Sequence, residues 1–263
     1  MIISTWNVNS IKVRLPNVLQ YLSEFQPDVL MLQETKSQDE NFPFKEIENL
    51  GYISTFCGQK TYNGVAAITK KPPTSFQLNP VHIDDKEMRS ILINYCGICI
   101  LNVYVVNGKD VTSDKYEYKL NWMNKLKLFT KSLFEDSDNL IVLGDFNIAP
   151  TDNDVFDVQL TKNQILCSEK ERDAYHSILN LGLYDLFQDY DFPPQTFTWW
   201  DYRGGAFHKN IGYRIDLILG SKPIQKRCIE YKIDKDTRHK SWCKDEPRTS
   251  DHVPVRVVLK NDL

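Results

Sequence analysis

The sequence lacks the features that mark a membrane-spanning or repetitive protein. No apolar run approaches the length of a membrane-spanning helix, and we therefore expect no membrane association. No repeat, low-complexity tract or Ser/Gly linker divides the chain. With 263 residues, 41% of them apolar, the chain can build a sizeable core, and we expect a single domain over residues 1–263. No apolar leader precedes the first strand-like run, which favours a cytoplasmic protein.

Cysteine is scarce and scattered, and only Cys96 and Cys99 have the spacing of a zinc clip. Both fall within the strand-like run ILINYCGICILNVYV, where an odd offset sends them to opposite faces of a sheet. We therefore predict two buried thiols here rather than a metal site. The six cysteines are expected to be free thiols.

The chain has little net charge, but its basic residues are concentrated in one part of the sequence. The formal net charge is −3, yet residues 202–248, the basic segment, carry twelve Lys or Arg against six Asp or Glu. The rest of the chain is therefore strongly acidic. Such a segment on an acidic protein indicates a face for nucleic acid or phosphate, although a solvated Lys-rich loop is the usual alternative.

Strand-like runs recur along the chain, and amphipathic helices are fewer. Apolar residues at helical spacing predict helices over residues 14–25 and 114–134, and residues 168–182 begin with the capping-box pair Ser168 and Glu171. The predicted strands read IISTW, DVLMLQE, YISTF, VAAIT, SILINY, ICILNVYVV, LIVLGD, TFTWW, RIDLILG and VPVRVVL. Each helix has one apolar face to bury, and a sheet is the obvious partner.

Polar residues stand where the predicted strands end. In LIVLGDFNIAP, Asp145 and Asn147 would share one face while Phe146 turns to the core. A plain strand-to-loop transition is the alternative, because Gly, Asp and Asn tolerate turns. The pattern recurs, however, at five other places, which favours a site. The residues there are Asn7, Glu34, Tyr104 with Asn107, Asp216, and Asp251 with His252.

Oxygen atoms dominate this set of side chains. Carboxylates of Glu34, Asp145 and Asp251, with the amides of Asn7 and Asn147, suit a hard cation such as Mg²⁺, and zinc fits poorly. The chemistry that follows is metal-assisted attack of water on a phosphodiester, with a carboxylate that orients or deprotonates the water. A cationic histidine would stabilise the developing negative charge. Asp216, if buried within its strand, needs a partner, and a histidine is a natural one.

Six motifs together resemble a known family. In order, and over essentially the whole chain, WNVNS, LQETK, GDFNIAP, WWDYR, RIDLIL and SDHVPV are similar to the exonuclease III family of apurinic/apyrimidinic (AP) endonucleases, within the endonuclease/exonuclease/phosphatase superfamily. The resemblance implies a four-layer α/β sandwich, in which two mixed sheets pack face to face with helices on the outer faces. It implies Mg²⁺ as the cofactor, with Mn²⁺ able to substitute. The implied metal-binding residues are Asn7, Glu34 as the principal ligand, Asp145, Asn147, Asp251 and His252.

The resemblance also implies catalytic roles. Asp145 would position or deprotonate the attacking water, and Asn147 would hydrogen-bond to that water or to the phosphate. His252, held by Asp216, would contact the scissile phosphate, which requires Asp145 ionised and His252 protonated together. Tyr104 would act on the phosphate or leaving-group side. Because family members use one metal ion or two, the ligand and base roles of Asp145 overlap.

Substrate-binding residues are implied by the same resemblance. Trp199, Tyr213 and Ile215 would line a pocket for a flipped abasic sugar, and Arg203 and Asn107 would face the DNA. Aromatic and basic residues alternate in TFTWWDYRGGAFHKNIGYRID, a pattern that suits a grip on a nucleic-acid backbone. The alternative is that the two tryptophans are alternating sheet residues, and we expect one of them, but not both, in the core.

The predicted function is hydrolysis of the phosphodiester 5′ to abasic sites in duplex DNA, with 3′-5′ exonuclease and 3′-phosphatase or phosphodiesterase activity. The predicted partner is duplex DNA with abasic sites or blocked 3′ ends. No obligate protein partner is evident, so we expect a monomer, associated with the nucleoid if the source is bacterial. The alternatives are a phosphatase of inositol phosphates or lipid headgroups, and a non-catalytic nucleic-acid-binding relative.

Overall fold

The computed structural model describes residues 1–83 and 87–260. In these residues the strands form two six-stranded sheets. In chain order, the strands are β1 (Ile2–Asn7), β2 (Val29–Gln33), β3 (Ile53–Cys57), β4 (Val65–Thr69), β5 (Ser75–Leu78), β6 (Ser90–Tyr95), β7 (Ile98–Tyr104), β8 (Leu140–Asp145), β9 (Leu183–Asp185), β10 (Asp216–Ser221), β11 (Cys228–Ile233) and β12 (Val255–Leu259). The first sheet has the order β11-β12-β1-β2-β4-β3, and the second has the order β5-β6-β7-β8-β10-β9.

Both sheets are mixed, because each contains one parallel pair near its centre. β1 is parallel to β2 in the first sheet, and β7 is parallel to β8 in the second. A helix connects the strands of each pair, as a parallel crossover requires. The α-helices are α1 (Ile11–Phe25), α2 (Phe44–Glu48), α3 (Asp114–Asp136), α4 (Val158–Thr161), α5 (Glu169–Leu179) and α6 (Lys222–Arg227). No helix in the described ranges is both long and apolar enough to cross a membrane.

Three apolar clusters define the layers. The first joins residues such as Met31 of the first sheet to residues such as Leu143 of the second, and therefore lies between the sheets. The second packs Trp122 of α3 and other helical residues against the outer face of the second sheet. The third packs α1, through Val18 and its neighbours, against the outer face of the first sheet. This arrangement confirms the predicted four-layer α/β sandwich.

The predicted helices are present, with small differences at their ends. α1 begins at Ile11 rather than at Arg14, and α3 extends to Asp136. The capping box of α5 is confirmed, because the Ser168 hydroxyl accepts from the Glu171 backbone N–H while the Glu171 carboxylate accepts from the Ser168 N–H. Local side-chain chemistry therefore marks this helix start correctly.

One predicted strand is wrong and three strands were missed. Residues 196–200 form no strand, since Trp199 makes only isolated bridges to Tyr213 and His252. The missed strands β5, β9 and β11 all lie at sheet edges. An edge strand has one neighbouring strand and more solvent contact, so its apolar alternation is weak; every residue of β5 is exposed.

The two closely spaced cysteines differ in environment, which corrects the prediction that both are buried. Cys99 lies in β7 and is buried, whereas Cys96 occupies the turn after β6, with φ 49°, and is exposed. The β6–β7 hairpin turns at Cys96 and Gly97, so the two cysteines do not share one strand. All six cysteines are free, as predicted.

Ser10 precedes α1 in a strained conformation, with φ 93° and ψ 107°, and its side chain makes no capping hydrogen bond. Glycine adopts positive φ without the Cβ penalty. We therefore expect Ser10→Gly to raise the free energy of unfolding by about 1 kcal/mol, and the melting temperature by roughly 2–4 °C. Thermal unfolding, with Ser10→Ala as a control that keeps Cβ, measures this; a less stable glycine variant would contradict the strain argument.

Candidate active site

The predicted strand-end residues meet at one end of the sandwich. Asn7, Tyr104 and Asp145 are the last residues of β1, β7 and β8, the strands that supply the parallel pairs. Asp216 begins β10 and lies opposite Asp145 in the antiparallel register. A hydrogen bond of 2.8 Å from Asn7 Nδ2 to Asp145 Oδ2 joins the two sheets here. The site is therefore built from both sheets.

Asn7 holds two carboxylates together. Its Nδ2 donates to Glu34 Oε1 at 2.9 Å as well as to Asp145 Oδ2, and its Oδ1 accepts from the backbone N–H of Asn9 at 3.0 Å. The amide nitrogen, not the oxygen, thus faces the carboxylates. The predicted ligand role of Asn7 would use the second lone pair of Oδ1, and it stays a prediction.

Asn147 has a similar role beside Asp145. Its Nδ2 donates to Asp145 Oδ2 at 3.2 Å, and its backbone N–H donates to Asp145 Oδ1 at 2.9 Å. The amide oxygen of Asn147 accepts from Asn107 Nδ2 at 3.0 Å. In this geometry Asn147 orients Asp145, and its predicted ligand role stays a prediction. Asn107 is exposed, so it can also face a bound substrate.

His252 and Asp216 form a buried pair. His252 Nδ1 lies 2.9 Å from Asp216 Oδ2, and its Nε2 lies 3.9 Å from Asp145 Oδ2. Burial by itself lowers the pKa of His252, but the Asp216 and Asp145 carboxylates raise it to about 10. The imidazole is therefore protonated at neutral pH. The charged ring fits the predicted phosphate contact, whereas a ligand role would require the neutral ring, because a protonated imidazole has no free lone pair. That ligand role stays a prediction.

The pKa of Asp145 lies close to neutral pH. Burial, together with the nearby carboxylates of Asp216 and Glu34, raises the pKa of Asp145 to about 7, while the positive charge of His252 opposes this rise. A carboxyl group with a pKa near the working pH suits a general base, because it is both available and basic enough to take a proton. This environment fits the predicted role of Asp145 toward water.

Two residues that the sequence analysis missed connect Glu34 to Asp251. Lys36 Nζ lies 2.8 Å from Glu34 Oε2 and 2.6 Å from Asn9 Oδ1. Asn9 Nδ2 in turn donates to Asp251 Oδ1 at 3.0 Å. Asn9 and Lys36 each follow a predicted site residue by two positions, the spacing that links Asp145 to Asn147. That signal was present in the sequence.

The donor set fits a hard divalent cation. Carboxylate oxygens of Glu34 and Asp145 and a ring nitrogen of His252 lie within 4.8 Å of one another. Burial alone would favour a neutral Glu34, but Lys36 and Asn7 hold its pKa below the ordinary value. The ammonium of Lys36 also shows that positive charge is stabilised beside Glu34 Oε2. Ionised carboxylates at this point are the ligands that Mg²⁺ prefers.

Tyr104 keeps its proton in this environment. Burial, reinforced by the negative charges of Glu34 and Asp145, raises the pKa of its phenol well above the ordinary value. The Arg89 guanidinium lies 4.7 Å from the centre of the Tyr104 ring. The hydroxyl is therefore a hydrogen-bond donor at all physiological pH values, as the predicted contact with a phosphate requires.

The two tryptophans of WWDYR have different environments, as expected. Trp200 is buried in the core, whereas Trp199 is partly exposed and packs against Tyr213, with ring centres 5.8 Å apart. Trp199 Nε1 also donates to Asp251 Oδ2 at 2.9 Å. Ile215 is only 2% exposed and lies in the cluster that supports both rings. Its contact with a substrate stays a prediction.

Arg203 points away from the buried centre into solvent. Its side chain is 89% exposed and forms an ion pair of 2.6 Å with Asp201. Such a surface pair contributes little to stability, so the guanidinium can exchange Asp201 for another anion at low cost. The predicted contact of Arg203 with DNA stays a prediction.

A buried lysine that the sequence analysis missed holds the backbone of two site residues in place. Lys119, in α3, donates from Nζ to the backbone oxygens of Asn147 at 2.6 Å and Asn107 at 3.2 Å, and it is paired with Glu171 of α5. Both ionic side chains are fully buried. One ammonium group thus fixes the backbone of two site residues. A lysine within an amphipathic helix carries no sequence signal that separates it from a solvated one.

Comparison with known proteins shows the family of this chain. The family model of the Endonuclease/Exonuclease/phosphatase family matches residues 4–252. Exodeoxyribonuclease III of Haemophilus influenzae is 31% identical, over 97% of this chain and 98% of the relative. The exodeoxyribonuclease of Bacillus subtilis is 28% identical, over 97% of this chain and 98% of its own length. The chain belongs to the endonuclease/exonuclease/phosphatase superfamily. Within it, the chain is a member of the exonuclease III family.

Solved structures share the fold over the whole chain. The 3′-5′ exonuclease (NExo) from Neisseria meningitidis is 37% identical, with a TM-score of 0.94 over 99% of this chain and 100% of that chain. An AP endonuclease from Archaeoglobus fulgidus is 32% identical, with a TM-score of 0.92 over 99% and 100%. The protein is therefore similar both to an enzyme named as an exonuclease and to an enzyme named as an AP endonuclease.

Proposed function

We propose that this protein is a metal-dependent DNA repair nuclease that hydrolyses the phosphodiester 5′ to abasic sites in duplex DNA. The same centre would serve 3′-5′ exonuclease and 3′-phosphatase or phosphodiesterase activity. The observation that carries the proposal is the buried Asp145 carboxyl, with a pKa of about 7, facing the protonated imidazole of His252 at 3.9 Å. A base for water and a cation for phosphate thus lie side by side. The names of the similar enzymes support the same reaction.

The side chains of the site have separate roles in the proposed hydrolysis. Asp145, oriented by Asn147, takes a proton from the attacking water, and the charged ring of His252 donates to a phosphate oxygen as negative charge develops. Tyr104 donates to the phosphate or to the leaving-group side. Asp216 keeps His252 protonated and fixes its ring orientation. The carboxylates around His252 favour its charged form, and the charge of His252 in turn favours the ionised form of Asp145.

The cofactor of this proposal is Mg²⁺, with Mn²⁺ able to substitute. Glu34, Asp145 and Asp251 would hold the ion, which when bound neutralises phosphate charge. The amide oxygen of Asn9, which accepts from Lys36, is a further ligand candidate. That the chain acts as a monomer in the cytoplasm, without an obligate protein partner, stays a prediction.

A duplex that carries one tetrahydrofuran abasic analogue tests the function directly. The pure protein should incise 5′ to the lesion in Mg²⁺ and leave the duplex intact in EDTA. Duplexes with a 3′-phosphate and with a plain recessed 3′ end measure the other two activities. Release of phosphate from inositol phosphates without incision would replace the proposal with the phosphatase alternative. DNA binding without any hydrolysis would indicate the non-catalytic alternative.

Asp216→Asn should shift the pH dependence of incision. His252 must be protonated, and the negative charge of Asp216 raises its pKa. Removing that charge lowers the pKa of His252, so the ring loses its proton at lower pH and the alkaline limb of the rate profile moves to lower pH. Single-turnover rates between pH 6 and 11 measure the limb. An unchanged limb with reduced amplitude would mean that Asp216 only orients the ring.

Tyr213→Ala should weaken discrimination between abasic and intact nucleotides. An abasic sugar costs least to extrude, and a tight aromatic wall would exclude a sugar that still bears a base. Loss of the ring should cost about 1–3 kcal/mol, or roughly ten- to hundredfold in abasic-site activity, and raise relative activity on base-bearing duplexes. Tyr213→Phe, which keeps the ring, is the control. Trp199→Ala should act in the same direction, with a further loss because it releases Asp251.

Two measurements distinguish a pocket residue from a core residue. They are the ratio of the incision rate on the abasic duplex to that on the base-bearing duplex, and the melting temperature of the same preparation. A lower ratio of the abasic rate to the base-bearing rate, at an unchanged melting temperature, supports a role of Tyr213 in lining the sugar pocket. An unchanged ratio with a lower melting temperature would mean that Tyr213 is a core residue only.

A further inference from the structure

A cavity of about 540 Å³ lies between the loop that follows WWDYR and the loop at residues 238–241. We name it the Arg238 cavity. Its lining includes Tyr202, Phe207, His208, Arg238, Lys240 and Ser241. All of these residues belong to the basic segment. The cavity is separate from the Asp145 centre, whose residues do not line it.

Arg238 is nearly buried and poorly satisfied. It is 9% exposed, and its guanidinium makes one hydrogen bond to the described part of the chain, from Nη1 to Thr249 Oγ1 at 3.0 Å. Its Nε is inaccessible to solvent and has no acceptor there. A guanidinium carries five N–H donors, and burying charged donors without acceptors is costly. Nε cannot reach a ligand, but Nη2 makes no hydrogen bond to the described residues and is not among the inaccessible atoms, so it is the donor that Arg238 can offer.

The other buried basic side chains are neutralised. Within residues 1–83 and 87–260, each buried Lys or Arg other than Arg238 has a carboxylate within 4.0 Å. The pairs are Arg89 with Glu87, Lys119 with Glu171, and Arg214 with Asp154 and Asp185. Arg238 has no such partner in those ranges. A buried cation without a counter-ion is destabilising, and an anion that binds there offsets part of that cost.

Two aromatic rings hold the guanidinium in place without cancelling its charge. Its central carbon lies 5.1 Å from the ring centre of Tyr202 and 5.3 Å from that of Phe207. Stacking on rings is the usual way to preorganise an arginine for a phosphate, because it fixes the plane of the fork. The rings of His208 and His239, which also line the cavity, add surface suited to a sugar or base.

The charges around the cavity favour an anion. Lys240 lines it directly, and Arg14 lies nearby, with Nη2 donating to the Tyr202 hydroxyl at 2.8 Å. The one carboxylate in the lining, that of Asp201, is paired with Arg203. Burial lowers the pKa of Arg238, Tyr202 and Asp251 raise it, and Arg14 lowers it further. The guanidinium stays charged, and no carboxylate of the described residues lies within ion-pair distance of it.

Hydrogen bonds link the cavity to the catalytic segment. Arg238 donates to Thr249 Oγ1, and the Tyr202 hydroxyl donates to the Thr249 backbone oxygen at 2.9 Å. Thr249 precedes Asp251 and His252 in the same short loop. A group held by Arg238 would therefore lie next to the segment that carries two catalytic-centre residues.

We propose that the Arg238 cavity binds a phosphate group of a nucleotide, with Arg238 as the main donor and Lys240 and Ser241 at its rim. Resting on the proposed function, the occupant is a backbone phosphate of the DNA substrate, flanking the scissile one. The same chemistry would accept the phosphate of a free mononucleotide. The site thus anchors the strand without reading its sequence.

Salt dependence of DNA binding tests the site. Binding of an abasic duplex is measured in EDTA, where no cleavage is expected, for the wild type, Arg238→Gln and Lys240→Ala. Each lost phosphate contact should reduce the slope of log K against log salt by about 1. Lys240 is exposed, so its variant keeps the fold even if Arg238→Gln does not. Lys232→Ala, an exposed lysine of the basic segment outside the cavity, should leave the slope unchanged.

Calorimetry with inorganic phosphate and deoxyadenosine monophosphate distinguishes the two sources. A reduced slope for the Arg238 and Lys240 variants supports a backbone phosphate. If the slope is unchanged but the wild type binds the mononucleotide and the Arg238 and Lys240 variants do not, the cavity binds a free nucleotide. Unchanged slopes together with no phosphate or mononucleotide binding would overturn the proposal.

Failure of the proposed function is visible separately. If the wild type binds the duplex with the expected salt slope but never incises it, the nuclease proposal fails while the cavity result stands. If it incises, Lys240→Ala should retain the wild-type rate at saturating DNA and lose rate only at low DNA concentration. A reduced rate at saturation would contradict a role in anchoring alone.

Discussion

Glu34→Gln is expected to remove most nuclease activity while the fold and measurable DNA binding remain. The substitution keeps the shape of the side chain but removes the negative charge that Lys36 and Asn7 hold ionised. A metal ligand's charge supplies several kcal/mol of transition-state stabilisation, so the rate should fall by about 100-fold or more. Single-turnover incision of an abasic duplex measures the loss, and the melting temperature checks the fold.

The metal dependence separates a ligand from a merely structural carboxylate. Excess Mg²⁺ should recover part of the rate of Glu34→Gln, because weaker binding is offset by concentration. Glu135→Gln, at an exposed position of α3, is the matched control and should behave as the wild type. A variant with reduced rate and an unchanged Mg²⁺ dependence would show that Glu34 does not bind the ion.

Lys119→Met should have the largest effect on stability. It removes the only cation paired with the fully buried Glu171, within the described chain, and leaves that carboxylate without a counter-ion. Breaking a buried ion pair from one side costs about 3–5 kcal/mol. Urea unfolding measures this, and Lys125→Met, at an exposed position of the same helix, is the control.

A double variant separates the structural role of Lys119 from its role at the site. Lys119→Met with Glu171→Gln removes both charges and should recover part of the lost stability. The backbone oxygens of Asn107 and Asn147 still lack their donor, so the incision rate at saturating DNA should stay low. A double variant with a normal rate would show that Lys119 supports only the core.

The strand-end pattern predicted the location of the site because strand geometry is local. Asp145 is the last residue of β8 and Phe146 is buried, as alternation predicts, but Asn147 lies beyond the strand with φ 49° and reaches Asp145 through its own hydrogen bonds. Polar residues after the strands of two parallel pairs then meet at one end of the sheets. Hydrophobic patterning likewise predicted the central strands and the long helices. It missed three of the four edge strands, because an edge strand has solvent where a second neighbouring strand would lie, which weakens its apolar alternation.

The sequence by itself thus determined the family, the layered fold and the chemical types at the centre. Only the tertiary structure decided how those groups face one another: that Asn7 and Asn147 turn nitrogen toward the carboxylates, and that Lys36 lies beside Glu34. Hydrogen-bond direction depends on partners that are distant in the chain. The tertiary structure also decided that Lys119 pairs with Glu171 and that Arg238 has no carboxylate partner in the described residues. Burial and the presence of a counter-ion depend on how elements pack together and not on local sequence.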